Sequence, residues 1–76
     1  MLILVNGATR EVDDGLSLSA LIDLLALPPQ RIAVELNREV VRRADWNSTI
    51  LKNADRLEIV HFVGGGSGFS STWKSV

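Results

Sequence analysis

The 76-residue chain contains no cysteine, which removes disulfides, thiolate metal sites and a thiol nucleophile together. It has a single histidine, His61, and one imidazole with no second histidine or thiolate does not make a transition-metal site. Charge of one sign is also missing: eight Lys and Arg stand against nine Asp and Glu, a formal net charge of -1. The cations are scattered, so neither nucleic acid nor an anionic membrane surface has an electrostatic footprint here. The apolar runs are too short to span a membrane, and no basic stretch precedes the first of them, which argues against a signal peptide. The expected compartment is the cytoplasm. At this length there is room for one small domain, burying about 60% of the surface its unfolded chain exposes, and a large catalytic cleft is not expected. What is present is ordinary for a folded domain, with 46% hydrophobic and 22% charged residues.

The order of elements follows from local signals. Leu2 to Val5 is an apolar run, Asn6-Gly7 is a two-residue hairpin signal, and Ala8 to Val12 returns as a second strand. Asp13-Asp14-Gly15 breaks the pattern and reads as a turn and helix entry, lacking the further oxygen ligands of a cation loop. Ser17 stands at an N-cap position ahead of Leu18, Leu21, Ile22 and Leu25, spaced i, i+3, i+4 and i+7. That spacing predicts one amphipathic helix of about ten residues, which Pro28-Pro29 cannot continue. Ile32, Val34 and Leu36 alternate with Ala33, Glu35 and Asn37 as a half-buried strand would. Glu39 to Arg42 reads as a short edge strand, Ala44 to Ser48 as a turn or single 3₁₀ turn anchored by Trp46, and Leu57 to Val63 as the closing strand.

One helix covers one face of such a sheet. If Leu57 and Ile59 face it, alternation turns Glu58, Val60 and Phe62 outward, and likewise Leu2 and Leu4 in the first strand. The expectation is an exposed apolar patch of Leu2, Leu4, Val60 and Phe62, with Glu58 beside it, that docks a partner; a sheet buried on both sides is the plainer alternative. The closing strand then runs without a break into Gly64-Gly65-Gly66. Three glycines contribute nothing to a core and lose the most backbone freedom on ordering. They suit a peptide gripped closely by another protein, and extended they reach roughly 10 Å, at about 3.4 Å per residue.

This order of elements, with Leu57-Glu58-Ile59-Val60-His61-Phe62-Val63-Gly64-Gly65-Gly66 at its end, resembles the ThiS family of bacterial sulfur carriers over about residues 1–66. The resemblance implies an α+β fold of ubiquitin-like β-grasp type, a mixed sheet of four to five strands with one helix packed on one face. It also implies that the functional group is a C-terminal glycine carboxylate, here Gly66 preceded by Gly65 and Gly64. In the family a ThiF-type adenylating enzyme uses ATP and magnesium to activate that carboxylate, a sulfur donor such as a cysteine desulfurase system supplies sulfur, and thiazole synthase (ThiG) draws it from the thiocarboxylate to build the thiazole of thiamine. On this reading the chain binds no cofactor itself and is a protein co-substrate, not an enzyme. Carriers serving molybdopterin, cysteine or another metabolite share the fold, and a β-grasp binding module without terminal chemistry is a further alternative.

The chain departs from the family pattern after Gly66, where Ser67 to Val76 follow. Ordering those ten residues costs about 10–20 kcal/mol of backbone entropy, against about 1.5–3 kcal/mol for full burial of each of Phe69, Trp73 and Val76. Residues 67–76 are therefore expected to be a mobile extension of the 1–66 domain. It is a propeptide, a sequence that abolishes carrier function, or a tail with its own partner. Some carriers of this kind are trimmed to the glycine by a metallopeptidase, which favours the propeptide. The remaining candidates are weaker. Gly64 to Gly68 lacks the Lys and following helix of a phosphate loop, His61 within a strand reads as a packed or surface residue, and Arg38, Arg42 and Arg43 read as a solvated face.

Overall fold

The structure is a computed structural model that describes residues 1–62 and the backbone of residues 73–75. Its strands are β1 (Leu2–Val5), β2 (Ala8–Glu11), β3 (Ile32–Leu36), β4 (Glu39–Val41), β5 (Arg56–Phe62) and β6 (Trp73–Ser75), and its helix is α1 (Leu18–Leu24). Five strands lie in the order β2-β1-β5-β3-β4, and β6 pairs with β5. Among the described residues only the β1–β5 pairing is parallel; the other strand pairs are antiparallel. This mixed sheet with one helix on one face is the arrangement the element order predicts and the β-grasp fold the resemblance implies.

The core lies between the sheet and α1. Ile3 and Val5 of β1, Ile32 and Val34 of β3, and Leu57 and Ile59 of β5 meet Leu18, Leu21 and Ile22 of α1, all buried. Period 2 in the strands and i, i+3, i+4 in the helix put these side chains on facing surfaces. Trp46 closes one end, 4% exposed, with its Nε1 donating to the Val41 carbonyl at 2.9 Å. It sits in a 3₁₀ segment, Arg43–Ser48. The chain after it docks on the start of α1, where the Leu18 N–H donates to the Thr49 carbonyl and the Leu51 N–H to the Leu16 carbonyl.

The helix begins as its sequence indicates: the Ser17 hydroxyl accepts from the Ala20 N–H at 3.0 Å. It ends earlier than the apolar spacing suggests, at seven residues. Ala26 takes a left-handed conformation (φ 57), and the Ala26 and Leu27 N–H groups donate back to the Asp23 and Ile22 carbonyls. That pair of bonds is a Schellman stop, with alanine where glycine is usual. Leu25 still packs against the core, as the cap residue. Pro28-Pro29 come after the stop, and Pro29–Arg31 form a 3₁₀ turn that the sequence pattern does not signal. The extension beyond Gly66, expected to be mobile, contributes β6.

Candidate functional site

Strand β5 is the element that leads to the glycines, and two asparagine side chains fix it from opposite edges. At its start, the Arg56 N–H donates to Asn37 Oδ1 at 3.0 Å and Asn37 Nδ2 donates to Asp55 Oδ1 at 3.0 Å. Asp55 Oδ2 in turn accepts from the Lys52 N–H at 2.7 Å, closing the turn ahead of the strand. On the other edge β1 ends at Val5, and the Asn6 N–H donates to the Leu57 carbonyl. The side chain of Asn6 then carries the pairing two residues further, to the main chain of Ile59. Asn6-Gly7 is the tight turn its sequence predicts, with φ of 50 and 83. With Leu57 and Ile59 fully buried, β5 is anchored in the core as far as Ile59.

The outer face of the sheet, away from α1, carries Leu2, Leu4, Glu58, Val60 and Phe62, as alternation requires. Leu2 is 50% and Phe62 39% exposed, while Leu4 and Val60 are half-buried. They share a face without forming one patch. The parallel register sets Leu4 opposite Arg56, so Val60 lies roughly 13 Å further along β5 at about 3.3 Å per residue. Leu2 and Leu4 instead line a groove of about 280 Å³ with Ile3, Thr9, Asn53 and Ala54. Val60 and Phe62 form a separate apolar end beside Ala33, which pairs with Val60. Between the two lie Arg56 and Glu58.

Two further residues belong to this face and were not singled out from the sequence. Glu35 stands directly opposite Glu58, and Val40, 71% exposed, stands opposite Glu35. The alternation of Ile32 to Leu36 contained the signal for Glu35, which an eye for apolar residues passes over. Both carboxylates are exposed, and among the described residues neither has an ion-pair partner. The arrangement is an acidic pair flanked by apolar side chains, suited to a partner that brings a cation and an apolar group together. His61 is half-buried on the helix side, in register with Ile32. Arg38, Arg42 and Arg43 are exposed, and Arg43 reaches the Pro29 carbonyl at 3.5 Å. Gly64, Gly65 and Gly66 lie outside the described residues. No described helix is long and apolar enough to cross a membrane.

Known proteins align with this geometry. The ThiS family model matches residues 3–66, stopping at the third glycine. A crystal structure of the thiamine biosynthesis protein ThiS from Geobacter metallireducens superposes with a TM-score of 0.76 at 35% identity, covering 87% of this chain and all of that one. The Bacillus subtilis sulfur carrier protein ThiS is 43% identical over 47 residues, 58% of this chain and 71% of that protein. A thiazole synthase from Magnetococcus marinus is 38% identical over 66 residues, 87% of this chain. The chain spans about a fifth of the length of that enzyme and of a second thiazole synthase, from Paramagnetospirillum magneticum. On the family match and the shared fold together, the chain belongs to the ThiS family of sulfur-carrier proteins.

Proposed function

We propose that this protein carries sulfur for thiamine thiazole synthesis on the carboxyl group of Gly66. The observation that carries the reading is where the family match ends: it runs through the domain and stops at Gly66, with ten residues following. A carboxylate is a poor electrophile. The ThiF-type partner joins it to the AMP portion of ATP, releasing pyrophosphate with magnesium held in the partner's own site. A persulfide of the sulfur donor then attacks the acyl carbon and AMP leaves. A second thiol, supplied by the partner system, attacks the donor-side sulfur of the resulting acyl disulfide, forming a disulfide with the donor and leaving the thiocarboxylate on Gly66. Glycine suits each step because the absence of a Cβ leaves the carbonyl open to close approach and in-line attack.

In the chain as it stands the Gly66 carbonyl is part of an amide to Ser67, and adenylation needs the free acid. Hydrolysis of that bond by a metallopeptidase therefore comes first, and residues 67–76 are its leaving peptide. The chain itself is a co-substrate. Thiazole synthase is the sulfur acceptor in this reading, supported by the likeness of this domain to a fifth of two proteins of that name. The outer face around Phe62, Val60 and Glu58 docks the activating partner, with Leu2 and Leu4 at its far end. Intact-mass spectrometry of the protein recovered from its own cells during thiamine synthesis tests the proposal. The expected species ends at Gly66, with a fraction heavier by the difference between sulfur and oxygen. A chain that is always full-length and never sulfurated overturns it in favour of a binding module.

A further inference from the structure

β5 is longer than its neighbour β1, and this mismatch creates a second feature of the stem. On the β1 side, main-chain groups of Asp55, just before β5, and of β5 itself point outward at every other residue: Asp55 and Leu57 are met by β1 and Asn6, and Ile59 by the Asn6 side chain. By the same alternation the next outward-pointing N–H and C=O are those of His61. β1 cannot reach them, since it stops at Val5. Left bare, they form a short open sheet edge, the kind of surface that accepts another extended chain. Strand β6 lies there, antiparallel, with Val60 opposite Ser75, His61 opposite Lys74 and Phe62 opposite Trp73.

We propose that this edge is a strand-acceptor site and that residues 73–75 are its occupant in the uncut chain. β6 continues the line of β1 past the point where β1 ends, so β5 has a neighbour on both sides up to His61. The slot recognises main chain and not side chains, because what it offers is the His61 N–H and C=O. One consequence rests on the carrier reading given above. Pairing places Phe62 and Trp73 side by side, so the stem of the tail is held as one half of a pair and is not presented as a single free strand. Hydrolysis after Gly66 then has two effects, releasing the carboxylate and emptying the slot.

Amide hydrogen exchange on the full-length chain tests the pairing whether or not the protein ever carries sulfur. In Lys74→Pro the ring removes the N–H that faces His61 and excludes the residue from a paired position, whereas Lys74→Ala keeps the main chain. The His61 amide should exchange at least tenfold faster in Lys74→Pro than in the natural chain, and within about twofold of it in Lys74→Ala, with the Ile59 amide equally protected in all three. Equal His61 exchange in the proline variant and the natural chain overturns the proposal. A second measurement needs no variant: antiparallel pairing brings the Hα atoms of Val60 and Ser75 together, and the cross-strand nuclear Overhauser effect between them should be strong. Its absence in the full-length protein overturns the proposal equally.

Discussion

The side-chain amide of Asn6 holds both main-chain groups of Ile59, with Oδ1 accepting from its N–H at 2.7 Å and Nδ2 donating to its carbonyl at 3.0 Å. A turn residue thus does the work of one more strand residue, 53 positions away in sequence. Asn6 is a left-handed position (φ 50), so glycine there tests the side chain without adding backbone strain. Asn6→Gly should destabilise the domain by about 1–3 kcal/mol, the cost of leaving the Ile59 groups without partners. Denaturant unfolding measures it. If backbone strain outweighed the amide bonds, the same variant would be more stable than the natural chain.

Ala26 gives a prediction of opposite sign. Its left-handed conformation ends α1, and its side chain is exposed, so a Cβ there contributes strain and no packing. Ala26→Gly should stabilise the fold by about 0.5–1 kcal/mol, the relief of left-handed strain exceeding the extra freedom glycine has in the unfolded chain. The check is a rise in the denaturation midpoint with an unchanged denaturant slope.

Glu35 and Glu58 face each other across β3 and β5, and like charges directly opposite on a sheet are unfavourable by about 0.2–1 kcal/mol. Glu35→Lys replaces the repulsion with an attraction and should raise stability by a similar amount, the gain shrinking as salt is added. The same change should weaken binding to the activating partner if that partner brings a cation to the pair. Thermal unfolding at low and high salt, beside a titration with the partner, separates the two effects. A stabilised variant that binds normally would remove the acidic pair from the interface.

These residues also mark how far the sequence could be read. Asn6-Gly7, Ser17 and the spacing of Leu18, Leu21 and Ile22 are local signals, each with its physical cause within a few residues, and they fixed the hairpin, the helix start and the buried face. Ala26 carried no such signal, because alanine in the left-handed region is chosen by the packing of Leu27 and the bonds back to Ile22 and Asp23. The division of the outer face was out of reach for a different reason. Alternation places Leu4 and Val60 on the same side, but only the register between two strands fifty residues apart decides that Arg56, and not Val60, lies beside Leu4. Edge pairing of residues 73–75 is nonlocal in the same way.

The proposed docking and tail chemistry are separable by two substitutions, because Phe62 ends β5 and Gly65 follows it only in the sequence. Phe62 is 39% exposed at the end of β5, so Phe62→Asp removes an apolar contact from the outer face and leaves the core side chains Leu57 and Ile59 in place. It should weaken binding to the activating partner at least tenfold, the loss expected when an apolar anchor of an interface is replaced by a charge, with a thermal midpoint shifted by a few degrees at most. Gly65→Ala, made in the chain ending at Gly66, should do the reverse. On the proposed carrier mechanism the added Cβ would obstruct the approach of an adenylating partner to the glycines, so binding should fall little while formation of the acyl-adenylate falls steeply, read by pyrophosphate release under saturating partner. Normal adenylation of the alanine variant would mean that the partner does not enclose the glycines, and loss of the fold in Phe62→Asp would place that ring in the core.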